Sequence, residues 1–123
     1  MLGLKTGVDL IEIERFTAAF LRYKHRLLQR LFTPIELAEN GENMASLAGR
    51  FAAKEAVAKA FGIGIGAIAW HDIEIRRGAS GEPVLHLYGA AERLAKAQQL
   101  RTWSLSLSHT QKHAIAFVVA ISE

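Results

Sequence analysis

The sequence has 123 residues but no cysteine, only two prolines and no long apolar run. Without cysteine the chain has neither a disulfide framework nor a thiolate zinc site, and this composition fits the cytoplasm. No apolar segment approaches the ~20 residues that a membrane-spanning helix needs. The first residues lack the charged region and the long apolar core of a signal peptide. We therefore expect a cytoplasmic protein without a membrane segment.

The residues that are present are typical of an ordinary globular domain. Half of them are apolar, 22% are charged, and the formal net charge is +3. No linker, low-complexity tract or internal repeat divides the chain. We therefore expect a single domain over residues 1–123, which is long enough to bury a real core.

Hydrophobic periodicity and turn residues predict the elements of this domain. We expect strands at residues 3–13, 70–77, 83–88, 103–108 and 114–121, and helices at residues 15–31, 34–40, 45–61 and 89–99. Thr33, Pro34 and Glu36 form the start signal of the second helix, and Asn40-Gly41 ends it. In the order β-α-α-α-β-β-α-β-β, strands that are neighbours in sequence can pair as hairpins. We therefore expect an α+β fold with antiparallel pairing rather than a doubly wound sheet.

Two carboxylates lie on apolar faces, where they are least expected. At ~100° per residue, Glu55 falls in the middle of a mostly apolar stripe of the third helix. Met44, Ala48, Phe51 and Ala58 lie within ~60° of it, and Leu47 lies at ~80°. A period of two in the first strand places Asp9 on one face with Ile11 and Ile13. An unpaired buried carboxylate is costly, so each acid needs a partner, a proton or a metal.

These two acids, far apart in sequence, suggest one shared cation. Carboxylates prefer hard cations such as Mg²⁺, which keeps several waters and is often completed by phosphate oxygens. The alternative is that Asp9 and Glu55 each pair with a nearby Arg or Lys. Lys59, one turn after Glu55, is either half of an exposed ion pair or a cation that neutralises charge on a phosphate.

Further polar residues are candidates for phosphate contacts. Arg50 and Lys54 share another sector of the third helix, where they are either solvated or phosphate ligands. A histidine in a hairpin turn, such as His109, is usually a surface residue. The neighbouring hydroxyls of Ser108 and Thr110, together with the turn amides, favour an anion contact.

The glycine-rich loop Gly62–Gly66 is a weak signal by itself. It follows a helix instead of opening one, so it matches neither a P-loop nor a dinucleotide fingerprint. We include Gly62 among the candidate cofactor contacts.

The first helix carries charge of one sign. Residues 15–30 contain five Arg or Lys residues and no acid, whereas solvated faces normally mix signs. Arg15, Arg22 and Arg26 project opposite the predicted apolar stripe, whose members are Phe16, Phe20, Tyr23, Leu27 and Leu31. Such a face indicates an acidic partner. We rank an acidic protein helix above nucleic acid, because no nucleic-acid motif is present and the net charge is small.

Three separated segments, taken in order, resemble the holo-acyl-carrier-protein synthase family. They are Gly7-Val8-Asp9-Leu10-Ile11-Glu12-Ile13-Glu14-Arg15-Phe16, Gly49-Arg50-Phe51-Ala52-Ala53-Lys54-Glu55-Ala56-Val57-Ala58-Lys59-Ala60-Phe61-Gly62 and Ser104-Leu105-Ser106-Leu107-Ser108-His109-Thr110. The resemblance runs from about residue 3 to residue 121. It implies the 4'-phosphopantetheinyl transferase fold and a homotrimer with active sites between subunits. The apolar stripe around Glu55 is then expected to border a subunit cleft rather than a sealed core.

The resemblance also implies a reaction of fatty-acid biosynthesis. Coenzyme A donates its phosphopantetheine arm to a serine of apo acyl carrier protein, and adenosine 3',5'-bisphosphate leaves. By resemblance, Asp9 and Glu55 hold Mg²⁺ with the pyrophosphate, and Lys59 assists at the phosphates. Arg50 and His109 match positions that face the 3'-phosphate. Arg15 matches a carrier-protein contact, and Arg22 and Arg26 extend that face.

Two other hypotheses stay open at this point. One is a different Mg²⁺-dependent phosphoryl-group enzyme that uses the same pair of acids. The other is a non-enzymatic module whose basic helix binds an acidic protein. The general base is also open, because Glu55 could take the serine proton directly or through a metal-bound water.

Overall fold

The Ala-rich third helix of the sequence prediction lies at the centre of the protein, packed between a sheet and a set of shorter helices. The structure, a computed structural model, describes residues 2–122. In chain order the elements are β1 (Gly3–Glu12), α1 (Ile13–Tyr23), α2 (His25–Leu31), α3 (Pro34–Asn40), α4 (Met44–Phe61), a 3-10 helix (Trp70–Asp72), β2 (Ile73–Arg77), β3 (Pro83–Leu87), α5 (Gly89–Ala97), β4 (Leu100–His109) and β5 (His113–Ser122). The predicted α+β class with antiparallel pairing is confirmed.

Two antiparallel sheets make up the β structure. The larger has the strand order β1-β5-β4, and the smaller is the β2-β3 hairpin. In the larger sheet, Asp9 pairs with Ala116 and Ala116 with Leu107, so these three residues form one row across it. In the next row on the same face, Ala114 pairs with His109. Asp9 and His109 therefore share a sheet face but lie on its two outer strands.

Helix α4 packs against one face of this sheet and is buried on nearly every side. The predicted one-sided apolar stripe was therefore too narrow, because both sheets and the shorter helices surround the helix. Its contact with β1 is very close: a Cβ atom built on Gly7 would lie 1.8 Å from the carbonyl oxygen of Ala56. Glycine at this position lets the strand that carries Asp9 approach the helix that carries Glu55.

On the opposite face of the larger sheet, β1 and β5 present apolar side chains that are uncovered in the isolated chain, whereas β4 presents Ser104, Ser106 and Ser108. Alternate residues of β1 and β5 point to this side. Its exposed members include Leu4 (70%), Val8 (49%), Leu10 (60%), Ile115 (38%) and Phe117 (44%). A contiguous apolar face of this kind is typical of a surface that another protein chain covers.

The predicted helix over residues 15–31 is wrong in one respect, because it breaks at Lys24. This residue has a φ of 51° and a ψ of −137°, which ends α1 and begins α2. The turn redirects the chain, so that Leu28 and Leu31 join Phe16 in a buried cluster. Tyr23, predicted to lie on the apolar stripe, is instead 54% exposed. Periodicity missed the break because neither Gly nor Pro marks it.

Other boundaries also differ from the prediction. Residues 70–72 form a 3-10 turn instead of the first part of a strand, and the Asp72 carboxylate accepts a hydrogen bond from the Ala69 amide at 3.2 Å. Strand β4 begins at Leu100, three residues earlier than predicted. The predicted capping box of α3 is confirmed by reciprocal hydrogen bonds between Thr33 and Glu36. Within residues 2–122, no helix is both long and apolar enough to cross a membrane.

Candidate active site

Asp9, Glu55 and Lys59 come together where β1 crosses α4. The Lys59 Nζ donates to Asp9 Oδ1 at 2.9 Å and to the Val8 carbonyl oxygen at 2.9 Å. The Asp9 side chain is 16% exposed, whereas that of Lys59 is 54% exposed. Lys59 therefore pairs across the fold with Asp9, a possibility that the i,i+4 spacing from Glu55 did not show.

The two carboxylates are electrostatically coupled. Burial raises the pKa of the Glu55 carboxyl, the charge of Asp9 raises it further, and Lys59 lowers it. Glu55 is half-buried rather than sealed in the core. Asp9 Oδ2 is buried and has no hydrogen-bond partner among the described residues. An orphaned carboxylate oxygen beside a second carboxylate is an arrangement that a cation would stabilise.

The residues at this site fit a magnesium ion better than a fully protein-bound metal. Within residues 2–122 no group of three or more His, Cys, Asp or Glu residues could hold a metal ion. Two carboxylates are an incomplete set of ligands, which suits Mg²⁺ because this ion keeps waters and takes oxygens from substrate phosphates. The residues that would hold it are Asp9 and Glu55.

A cleft of about 720 Å³ is lined mainly by residues of β1, α1, α2 and α4, and Asp9, Glu55 and Lys59 are not among them. Ile11, two residues after Asp9 on the same strand face, and Phe51, one turn before Glu55, both line it. Its apolar wall continues with Phe16, Leu27, Leu31 and Trp70, and its polar margin comprises Glu12, Arg15, Arg30 and His113. Glu55 is half-buried rather than sealed in the core, but it does not line this cleft; that its apolar surroundings border a cleft between subunits stays a prediction.

The turn between β4 and β5 lies away from the acids in the single chain. His109 faces the same side of the sheet as Asp9, but two strand spacings of ~4.8 Å separate their strands. Ser108 points to the opposite face. The Thr110 hydroxyl already accepts hydrogen bonds from the amides of Lys112 and His113, so it closes the turn. In one protomer, only His109 of the predicted turn contacts faces the acids.

Arg50 and Gly62 occupy different ends of α4. Arg50 is 8% exposed and lies ~140° around the helix from Glu55. Burial and the charge of Arg77 lower its pKa, and its Nε has no hydrogen-bond partner among the described residues. Gly62 is the left-handed cap that ends the helix, with a φ of 81°. This left-handed backbone conformation accounts for glycine at position 62. The predicted phosphate contact of Arg50 and the predicted cofactor contact of Gly62 stay predictions.

Lys54 is neither solvated nor available to a phosphate. Its ammonium is completely buried and forms an ion pair with the equally buried Glu36 at 2.8 Å. From the sequence, Glu36 was expected only as a capping residue, and its ion pair with Lys54 was not predicted. The signal was present, because an acid at the start of one helix and a lysine within an Ala-rich helix both need partners when they are buried.

The basic residues predicted to bind a partner are all exposed. Arg15 and Arg22 lie on the same side of α1, seven residues apart. Arg15 is 3.6 Å from the Glu12 carboxylate, and the Arg22 guanidinium lies over the Tyr23 ring. Arg26 belongs to α2, beyond the break at Lys24; that it extends the basic face of α1 stays a prediction.

Comparisons with known proteins identify the family and agree with the fold. Residues 5–118 match the family described as the 4'-phosphopantetheinyl transferase superfamily. The holo-[acyl-carrier-protein] synthase of Herpetosiphon aurantiacus is 45% identical, with 96% of this chain and 98% of that protein covered. The corresponding protein of Moorella thermoacetica is 46% identical, with 98% of this chain and 94% of that protein covered.

Solved structures show the same fold. The Helicobacter pylori holo-[acyl-carrier-protein] synthase in complex with coenzyme A matches with a TM-score of 0.86 and 32% identity, over 94% of this chain and 98% of that one. The Neisseria meningitidis enzyme matches with a TM-score of 0.86 and 36% identity, over 94% and 96%. The chain therefore belongs to the 4'-phosphopantetheinyl transferase superfamily, and within it to the family of holo-[acyl-carrier-protein] synthases.

Proposed function

We propose that this transferase uses Asp9, Glu55 and Lys59 to move the 4'-phosphopantetheine arm of coenzyme A onto a serine of apo acyl carrier protein. The observation that carries the proposal is the buried Asp9 Oδ2, which has no hydrogen-bond partner among the described residues and whose carboxylate is coupled to that of Glu55. Asp9 and Glu55 would hold Mg²⁺, which when bound offsets negative charge on the pyrophosphate of coenzyme A.

The chemical step is a displacement at phosphorus. The serine hydroxyl oxygen forms a bond to the β-phosphorus of coenzyme A, and the bond from that phosphorus to the bridging oxygen breaks. Adenosine 3',5'-bisphosphate leaves. Glu55 is proposed to accept the serine proton. Lys59 keeps its ammonium at the Asp9 carboxylate and is exposed enough to face a phosphate.

The contacts to the remaining parts of coenzyme A stay as the resemblance implies them. Arg50 and His109 are proposed to meet the 3'-phosphate, and Gly62, Ser108 and Thr110 contribute at the margins. His109 and Asp9 lie on the same face of the larger sheet, on its two outer strands; that the site is shared between subunits stays a prediction.

The uncovered sheet face supports the proposed homotrimer. Five large apolar side chains on β1 and β5 are at least 38% exposed in the isolated chain, and burying them against other copies removes their surface from water. The cytoplasmic location and the role in fatty-acid synthesis stay predictions that accompany this proposal.

Transfer can be tested directly by mass spectrometry of the carrier protein. Incubation with coenzyme A, Mg²⁺ and an apo acyl carrier protein should add the mass of one phosphopantetheine arm. Asp9→Asn and Glu55→Gln should each lose this transfer by at least ~100-fold, in the range typical of lost acid–base groups. Glu92→Gln, which changes an exposed acid of α5, is the matched control and should keep full activity.

Three outcomes separate the hypotheses. No mass gain with a range of carrier proteins would reject this transfer and leave another Mg²⁺-dependent phosphoryl-group enzyme. Transfer that survives in both acid variants would reject the proposed site. A non-enzymatic module predicts that Glu55→Gln leaves partner binding and function intact.

Binding of the carrier protein should depend on the basic face of α1. Reversing both charges, in Arg15→Glu/Arg22→Glu, should weaken binding at least tenfold at low salt, and the difference should shrink as salt screens the charges. Arg93→Glu on the exposed side of α5 is the control and should bind normally. Titration by fluorescence anisotropy at several salt concentrations measures this, and salt-independent binding would contradict the basic-face proposal.

A further inference from the structure

A fully buried ion pair joins α4 to three other segments. The side chains of Lys54 and Glu36 are both 0% exposed, and their charged atoms lie 2.8 Å apart. Lys54 Nζ also donates to the carbonyl oxygen of Trp70 at 3.0 Å and to that of Ile73 at 2.5 Å. All three ammonium protons therefore have acceptors.

Glu36 is held as completely as its partner. Its Oε1 accepts the amide proton of Thr33 at 2.9 Å, and its Oε2 accepts that of Ile75 at 2.8 Å. Thr33 in turn donates from its hydroxyl to the buried Glu74 carboxylate at 2.6 Å. The network connects α3, α4, the 3-10 turn and β2. Every charged atom of the Lys54 and Glu36 side chains has a partner in it.

Stability alone is a poor explanation for this pair. Removing two charges from water is costly, and apolar residues of similar volume often serve a core equally well or better. Burial accordingly lowers the pKa of Lys54, although Glu36 acts in the opposite direction. Hydrogen bonds fix the placement of the groups that they join. Apolar side chains in place of the pair would therefore not fix the orientation of α4 in the same way.

Helix α4 needs contacts that fix its rotation and axial position. Much of its surface is alanine, with Ala52, Ala53, Ala56, Ala58 and Ala60 all buried. Small side chains make shallow ridges, and ridges interlocked with grooves are what set the rotation and axial position of a packed helix. Its contact with β1 at Gly7 and Ala56 is backbone against backbone, so side chains do not interlock there.

We propose that the Lys54–Glu36 pair is a positioning pair that sets the rotation and axial position of α4, so that Glu55 and Lys59 meet Asp9. A slip of one residue moves a helix by ~1.5 Å and ~100°. Such a slip would turn Glu55 away from β1. Both side chains are 0% exposed, so the pair acts through the placement of α4, and the inference rests on the proposed acid pair as the metal and proton-transfer site.

The test separates positioning from stability by neutralising both charges at once. Glu36→Gln/Lys54→Met leaves no isolated buried charge, so it should fold with a melting temperature near that of a control. The control is Val57→Ala, which creates a cavity at a fully buried position of the same helix. The readouts are kcat with Mg²⁺ and the affinity of the protein alone for Mn²⁺, measured by electron paramagnetic resonance.

We expect the double variant to lose roughly tenfold or more in Mn²⁺ affinity and a similar factor in kcat, as for other residues that orient metal ligands. Val57→Ala should keep both values within about twofold when it is measured well below its melting temperature. A folded double variant with the Mn²⁺ affinity and kcat of the unmodified protein would overturn the proposal.

Three further variants keep the result decisive. If the double variant does not fold, Glu36→Asp, which keeps the charge but shortens its reach by one methylene, is read in the same way against the same control. Asp9→Asn and Glu55→Gln report on the site itself. If they keep Mn²⁺ affinity and activity, the proposed site has failed; if they lose both while the double variant keeps both, only the positioning proposal has failed.

Discussion

At the scale of single residues, Glu55 shows how a neighbour changes the chemistry of a carboxylate. Its half-buried place and the charge of Asp9 both raise its pKa, whereas Lys59 opposes them. An acid whose pKa is raised on folding contributes stability below its unfolded pKa and loses that contribution as the pH rises through its folded pKa. Binding a metal or accepting the serine proton requires the ionised form of Glu55. Ionisation of Glu55 therefore lowers the stability of the metal-free fold.

The direction of these effects can be measured in the metal-free protein. Asp9→Asn removes a negative charge and should lower the pKa of Glu55. Lys59→Met removes a positive charge and should raise it. Titration of the side-chain carboxyl carbon by ¹³C NMR checks both signs. Lys96→Met, which removes the exposed partner of Glu92 on α5, should leave the titration of Glu55 unchanged; equal shifts in all three variants would contradict the local coupling.

At the scale of elements, two backbone features set how the helices surround the site. Lys24 adopts a backbone conformation that side chains disfavour, and it separates α1 from α2. Gly7 allows β1 to approach α4 at van der Waals contact. The turn at Lys24 sets the orientation of the two helices that line the cleft, and Gly7 lets the strand of Asp9 approach the helix of Glu55. Hydrophobic periodicity predicts neither feature.

Replacing Lys24 by glycine should stabilise the protein. A side chain held in a sparsely populated region costs ~1–3 kcal/mol, while the greater freedom of glycine in the unfolded chain offsets ~0.4–1 kcal/mol of that gain. We expect a net increase of about 1 kcal/mol in the free energy of unfolding, measured by urea denaturation. Lys96→Gly in α5, where the backbone is helical, should lose about 1 kcal/mol. A loss in Lys24→Gly would show that the turn carries no strain.

Gly7→Ala should damage both the fold and the site. The added methyl group would lie 1.8 Å from the Ala56 carbonyl oxygen and 2.8 Å from its carbon, so the strand and helix must separate. We expect a loss of about 1–3 kcal/mol, as in overpacked cores, together with weaker Mn²⁺ binding.

The matched substitution for Gly7→Ala lies within α4. The nearest atom to a Cβ on Gly49 is a Leu107 methyl carbon at 4.0 Å, and alanine is favoured over glycine in a helix by ~0.5–1 kcal/mol. Gly49→Ala should therefore be stabilising. Thermal denaturation of both variants checks the opposite signs, and a neutral Gly7→Ala would refute the close approach of β1 to α4.

At the scale of the whole molecule, the protein has two very different sheet faces. One is packed on α4 and carries Asp9, while the other presents Leu4, Leu10 and Phe117 to solvent. A face of this kind is a liability for a monomer and a natural interface for an assembly. The basic surface of α1 lies beside the cleft, where Arg15 contributes to its margin.

Phe117→Asp should prevent assembly of the proposed trimer. A charge at the middle of a buried apolar interface is costly, because it loses water without gaining a partner. Size-exclusion chromatography with light scattering should give a trimer mass for the unmodified protein and a monomer mass for the variant. Val84→Asp, at an exposed position of β3, should leave the trimer intact. A monomeric unmodified protein at micromolar concentration would contradict the assembly.

The sequence determined the fold class, the capping box at Thr33 and the two acids on apolar faces, because periodicity, turn chemistry and the cost of burying charge act over short stretches of chain. It also carried the motifs that indicate the family. The tertiary structure alone decided that Lys59 pairs with Asp9 and that Lys54 pairs with Glu36. Those partners lie 50 and 18 residues away, and a charged side chain in a periodic segment does not show which distant group will meet it once the chain is packed.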